Sequence, residues 1–80
     1  MKDPKLFLRM FFDDENLEDD FDLITSNILD SLGTQNLILY IEDKFSIDIF
    51  ADEVTPPNFK NINSISRFIL SKLSDKEELT

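Results

Sequence analysis

Cysteine and histidine are both absent from this 80-residue sequence, and glycine occurs once. Without cysteine there is no disulfide framework, and without either residue there is no Cys/His zinc site. A Ser–His or Cys–His nucleophile pair cannot form within the chain. No side chain titrates near neutral pH unless its environment shifts it strongly. Basic residues are also scarce: 8 Lys+Arg face 17 Asp+Glu, for a formal charge of −9. Such a chain repels phosphates, which argues against nucleic acid as a partner. The sequence therefore reads as a non-enzyme, and any covalent chemistry needs a group added to it.

What is present suits a small globule. Hydrophobic residues make up 41% of the chain. The length predicts a single domain, residues 1–80, with a core over about 5–73 and a polar tail at 74–80. A domain of this size buries roughly 60–65% of its unfolded surface. Its core supplies only about 3–5 kcal/mol of net stability.

Charge is unevenly distributed. Lys2, Lys5 and Arg9 sit at the start, whereas residues 10–43 hold ten acids and no base. Seven of those acids are Asp13, Asp14, Glu15, Glu18, Asp19, Asp20 and Asp22. This stretch predicts a negative face that favours basic partner surfaces. Its self-repulsion predicts that added salt or millimolar Mg²⁺ raises the melting temperature; a flat thermal response to either would contradict it.

The longest apolar run, Leu37–Ile41, is far short of the roughly 20 residues of a membrane span. Met1 to Phe12 resembles a signal peptide in apolar content. However, Asp3 lies in the would-be basic region, Arg9 interrupts the apolar one, and no small-residue cleavage site follows. It reads as mature protein, with the cytoplasm as default compartment, no membrane insertion and a monomeric state.

The helical signals are local. Asp3 can cap a first helix with Pro4 at its first position. Leu6, Phe7, Met10 and Phe11 then fall on one helical face. Residues 13–30 read as a long irregular connection, pinned to the core by Leu17, Phe21, Leu23, Ile24, Ile28 and Leu29. Such loops are uncommon in compact domains and are often functional. Asp30 or Ser31 caps the next helix, whose Leu37, Ile38, Ile41 and Phe45 form a buried stripe, with Leu39 and Tyr40 off it. Glu42, Asp43 and Lys44 should face solvent. Phe45 to Phe50 alternates like a strand but has no partner strand, so it is expected to be an extended loop tucking in Ile47 and Ile49. Thr55 caps a short helical turn starting at Pro56 and ending near Lys60. A last helix starts near Asn61 or Asn63 and buries Ile62, Ile65, Phe68, Ile69 and Leu73. The expected fold is all-α: a small four-helix bundle of three main helices and one short one.

Three constellations carry possible chemistry. The acidic run fails as an EF-hand loop: counting from Asp14, the glycine position holds Asp19 and the closing glutamate position holds Thr25. Asp19 and Asp20 lack the apolar pocket that acid–base catalysis requires, and read as surface charge. Asp30-Ser31-Leu32-Gly33 places a serine hydroxyl at a helix N-terminus, where a phosphodiester is favoured. An ordinary N-cap explains the same residues, and on local grounds alone it is the favoured reading.

The wider pattern adds a resemblance. Ile28-Leu29-Asp30-Ser31-Leu32-Gly33-Thr34, followed by an apolar helix ending Ile41-Glu42-Asp43-Lys44-Phe45, resembles the phosphopantetheine site of acyl carrier proteins. Asp19-Asp20-Phe21-Asp22-Leu23-Ile24 resembles the acidic loop before that site. Phe45-Ser46-Ile47-Asp48-Ile49 resembles the exit from its helix. Val54-Thr55-Pro56-Pro57-Asn58-Phe59, with Ile62 and Ile65, is similar to a stretch in free-standing carriers served by adenylating ligases, the D-alanyl carriers among them. The likeness spans about residues 5–73. It implies a 4′-phosphopantetheine arm on Ser31, derived from coenzyme A, whose thiol holds an acyl or aminoacyl group as a thioester. It also implies that Asp30 helps a phosphopantetheinyl transferase recognise the site. Leu32, Gln35 and Leu39 would meet partners, and Ile62 would flank the arm. An adenylating acyl or amino-acid ligase and a downstream acyl transferase or synthase are the implied partners. Gly33 and Asn36 stand where fatty-acid carriers usually place acids, and Gly33-Thr34 is nearer the aminoacyl type. The first helix is shorter than usual for the family. An unmodified acidic helical interaction module remains the alternative.

Overall fold

Asp3 opens the first helix by accepting the Lys5 N–H at 3.1 Å, and Pro4 occupies the first turn. This computed structural model describes residues 3–78. Four α-helices follow in order: α1 Pro4–Phe12, α2 Ser31–Phe45, α3 Pro56–Phe59 and α4 Ile62–Glu78. A 3₁₀ turn at Ala51–Glu53 precedes α3, and the described residues contain no strand. The Cα radius of gyration is 12.1 Å, near the roughly 12 Å expected of a folded chain this long. The all-α bundle of three main helices and one short one is what the structure shows.

α1 buries only part of the face its sequence suggested, with Phe7 and Phe11 packed against the core. Leu8 is fully buried with Pro4, while Leu6 and Met10 are 59% and 62% exposed. Apolar residues line most sides of this nine-residue helix, so periodicity alone does not select a face. The aromatic partners do: Phe7 meets Phe45 edge-on with ring centres 5.3 Å apart, and Phe11 lies 5.1 Å from Tyr40. Such pairs stabilise beyond their buried area. The Tyr40 hydroxyl also donates to the Phe7 carbonyl at 2.8 Å, so Tyr40 helps join α2 to α1 although it lies off the buried stripe. Asp13 ends α1 in the left-handed conformation, and its N–H reaches the Arg9 carbonyl.

The connection at 13–30 is irregular, as expected, and its middle is fastened to the 60–63 segment by backbone bonds. The Leu23 N–H donates to the Lys60 carbonyl at 2.7 Å, and the Asn63 N–H donates to the Asp19 carbonyl at 3.0 Å. Leu17, Leu23 and Leu29 are buried, but Phe21, Ile24 and Ile28 are exposed and do not pin the loop. Three inward leucines suffice for a strip this narrow, and the intervening turns rotate the others outward. Asp19 is not a free acid: it pairs with both Lys5 and Arg9, so the basic start of the chain folds onto the acidic loop.

α2 starts at Ser31, with Asp30 as its cap: the carboxylate accepts the Gly33 N–H at 2.7 Å. Leu37, Ile41 and Phe45 are buried and Ile38 packs half-buried beside them. Glu42 does not simply face solvent, because its carboxylate accepts the Ile49 N–H at 2.9 Å and ties the extended segment to α2. Ile47 is buried and Ile49 half-buried, as the alternation predicted. Thr55 stands at the cap position of α3 but makes no side-chain cap bond, since prolines in the first turn leave fewer N–H donors to satisfy. Asn61 caps α4 by accepting the Ser64 N–H at 2.8 Å.

α4 buries Ile62, Ile65, Phe68 and Ile69, with Leu73 half-buried. It continues through Glu78, so residues 74–78 form its last turns rather than a tail; residues 79–80 lie outside the described residues, as do Met1 and Lys2. Ser74 and Asp75 are exposed, and such polar residues extend a helix once the preceding turns are nucleated.

Candidate functional site

Ser31 is the first residue of α2 and is exposed. Three facts place it there. Asp30 adopts an extended backbone and caps the helix, so Ser31 keeps its own side chain free of capping duty. Leu29 is buried, which plants the preceding residue in the core. Gly33 leaves room for the cap: a Cβ there would sit 3.1 Å from a carboxylate oxygen of Asp30 and 3.6 Å from the Ile28 carbonyl. The two candidate roles at this point are thereby separated, with Asp30 as the cap and Ser31 as the presented hydroxyl.

The electrostatics favour an anion bonded to that hydroxyl. The partial positive charge of a helix N-terminus acts within its first turn. Upstream, the Asp22 carboxylate lies below the usual carboxylate range, chiefly because it accepts the Thr25 N–H at 2.9 Å; it also accepts the Ile24 N–H at 3.0 Å. Asp22 thus stays ionised and shapes the turn leading to the serine.

An open groove of about 340 Å³ runs beside Ser31. Ile24, Leu29 and Thr34 line it with Ser31, joined by Val54, Thr55, Pro56 and Phe59 from a later stretch of the chain. A mostly apolar groove with a few polar groups at its mouth suits a flexible, partly apolar chain. Val54 and Pro56 belong to the stretch that resembles the free-standing carriers, but their sharing a groove with Ser31 depends on how the 51–59 segment folds back. Nothing in local periodicity signals it.

The other predicted residues divide. Leu32 and Leu39 are 66% and 64% exposed and lie two turns apart on α2, with exposed Gln35 between them. These three share one outward face with the end of α2 that bears Ser31. Ile62 is different: it is fully buried at the start of α4. It supports the site through the core and offers no surface to an arm or partner. Among the described residues no three carboxylates converge as a metal site, and no helix is long and apolar enough to cross a membrane.

Known proteins with this pattern are D-alanyl carrier proteins. One from Streptococcus equi is 38% identical over 60 residues, which cover 75% of this chain and 76% of the relative. One from Streptococcus uberis is 36% identical over 59 residues, 74% and 75% of the two chains. One from Streptococcus pyogenes is 34% identical over 61 residues, 76% and 77%. The chain belongs to the D-alanyl carrier protein family. Its role is that of a carrier protein. No family model matches the chain. Membership agrees with the helical bundle and gives the exposed serine of this carrier protein a context that the tripeptide alone lacks.

The cap yields a direct prediction. Asp30→Ala removes the acceptor for the Gly33 N–H and is expected to cost about 1 kcal/mol. For a domain this size that lowers the melting temperature by roughly 4–8 °C. Asp30→Asn, which can still cap, is expected to retain most of the stability. Thermal unfolding by circular dichroism distinguishes the two.

Proposed function

We propose that Ser31 bears a 4′-phosphopantetheine arm and that the protein carries an acyl or aminoacyl group on it as a thioester. The observation that supports this most is the exposed serine at the first position of α2, beside a groove, in a chain without cysteine. A phosphopantetheinyl transferase would install the arm from coenzyme A: the Ser31 hydroxyl loses its proton, its oxygen bonds to phosphorus, and the nucleotide portion leaves. The arm supplies the thiol that the sequence lacks. An adenylating ligase then loads that thiol, and a downstream acyl transferase or synthase receives the cargo. The D-alanyl carrier relatives support an aminoacyl cargo. Catalysis belongs to those partners, and the carrier itself performs none.

Asp30, Leu32, Gln35 and Leu39 form the surface through which transferase and partners recognise the site. Leu32 and Leu39 contribute apolar contact, while neighbouring acids steer a basic partner onto it. Residues 1–80 act as a single monomeric domain in the cytoplasm.

Intact mass after co-expression with a broad-specificity phosphopantetheinyl transferase tests the reading. The wild type is expected to gain the mass of one arm, and Ser31→Ala none. An unmodified wild type would overturn the carrier chemistry and return the protein to an acidic interaction module. An arm surviving Ser31→Ala would move the site elsewhere.

A further inference from the structure

We propose that the Glu53–Lys72 ion pair is a latch that holds one wall of the groove beside Ser31 in place. The proposal rests on the carrier reading only for what the groove receives.

The latched wall is the stretch from Phe50 to Phe59, of which Val54, Thr55, Pro56 and Phe59 line the groove, and it is held at two points. Its downstream end is apolar: Phe59 is buried, with its ring 5.5 Å from that of Phe68 on α4. Its upstream end is polar. Lys72, on the same helix, donates to both carboxylate oxygens of Glu53, at 2.9 and 3.0 Å. The two side chains are only 19% and 27% exposed, for Lys72 and Glu53 respectively, so water competes less than at an open surface pair. The Lys72 ammonium also stands 5.0 Å from the Phe50 ring centre.

Glu53 passes this anchorage to its neighbours. Its carboxylate accepts the Phe50 N–H at 3.0 Å, and its carbonyl accepts the Asn58 side-chain amide at 2.9 Å. Val54 and Thr55 lie between these two attachments. Their N–H groups bond to the Ala51 and Glu53 carbonyls, within the segment itself. Among the described residues, Glu53–Lys72 is the hydrogen-bonded tie between residues 50–58 and α4. Val54 and Thr55 both line the groove at Ser31. Releasing Lys72 would therefore free this part of the wall while Phe59 keeps the rest docked. Glu53 and Lys72 touch neither Ser31 nor the groove's contents, and act as positioning residues.

Amide hydrogen exchange on the unmodified protein tests the latch without any arm. In Lys72→Met, exchange at Val54 and Thr55 is expected to rise on the order of tenfold relative to Ile41 and Ile69, the loss expected for one charge-assisted tie. Lys72→Arg is expected to restore most of the protection. No rise, or an equal rise at Ile41 and Ile69, would overturn the latch. A second measurement compares amide chemical shifts before and after phosphopantetheinylation. In the wild type, Val54, Thr55 and Leu32 are expected to shift. In Lys72→Met, the Val54 and Thr55 shifts are expected to fall by at least half while that of Leu32 persists. Equal shifts in both proteins would overturn any service of the latch to the arm. A wild type that gains no arm would overturn the carrier reading, and the exchange experiment would still decide the latch.

Discussion

Leu37→Ala is expected to leave a large fraction of the protein unfolded at room temperature. Leu37 is fully buried on α2, in one cluster with Leu8 of α1 and Ile65 and Ile69 of α4. Removing three buried carbons costs their transfer energy and leaves a cavity, together about 2–5 kcal/mol. The whole domain has only about 3–5 kcal/mol to lose. The substitution therefore removes most of the stability, and urea or thermal unfolding should show a shallow or missing folded baseline. Leu37→Met keeps the volume and is expected to cost less than about 1.5 kcal/mol. Comparable loss from both variants would show that shape at this position, rather than burial, is limiting.

Leu23→Ala is the second large effect, and it reaches the serine. Leu23 is the most deeply buried residue of the 13–30 connection. Its N–H donates to Lys60 and its carbonyl accepts the Leu29 N–H at 2.8 Å, so it joins the loop both to the approach to α4 and to the residue before the Asp30 cap. Truncation is expected to cost about 2–4 kcal/mol by the same cavity argument. Below the melting temperature it should also slow modification of Ser31 several-fold, because the loop that presents Asp30 and Ser31 loses its anchor. A time course of intact mass with a phosphopantetheinyl transferase measures that rate. A cost under about 1 kcal/mol with an unchanged rate would show that Leu17 and Leu29 hold the loop unaided.

Much of the candidate site was legible because its signals are short-ranged. A cap acts over three residues and a helical stripe over two turns. Asp3-Pro4, Asp30-Ser31 and Asn61 therefore mark helix starts close to where the structure has them, and Leu37, Ile41 and Phe45 mark the buried side of α2. The Ser31 motif was visible as well, although its bare tripeptide alone favoured an ordinary cap. The structure makes Asp30 the cap, with its carboxylate on the Gly33 N–H, and leaves the Ser31 hydroxyl out of that bond.

Other features could not be read from neighbours in the chain. Ile62 looked like a residue flanking the arm, but its place in sequence says nothing of how deeply α1 and the loop cover the start of α4. Glu42 looked like a solvated helix charge, yet it accepts the Ile49 N–H, and Lys72 finds Glu53, only once the 45–55 segment folds back.

By itself the sequence determined the chemistry available to this protein. It has no thiol and no imidazole, a strongly acidic balance, four helical segments, side-chain caps at Asp3, Asp30 and Asn61, and Ser31 set at a helix start. These follow from composition and from interactions a few residues long. Tertiary structure alone decided which face of α1 is buried, which loop residues point inward, that Ile62 is core, and that Val54 and Thr55 line a groove with Ser31. Those outcomes depend on contacts between segments distant in the chain, where packing volume and the pairing of polar groups choose among arrangements that local patterns leave equivalent.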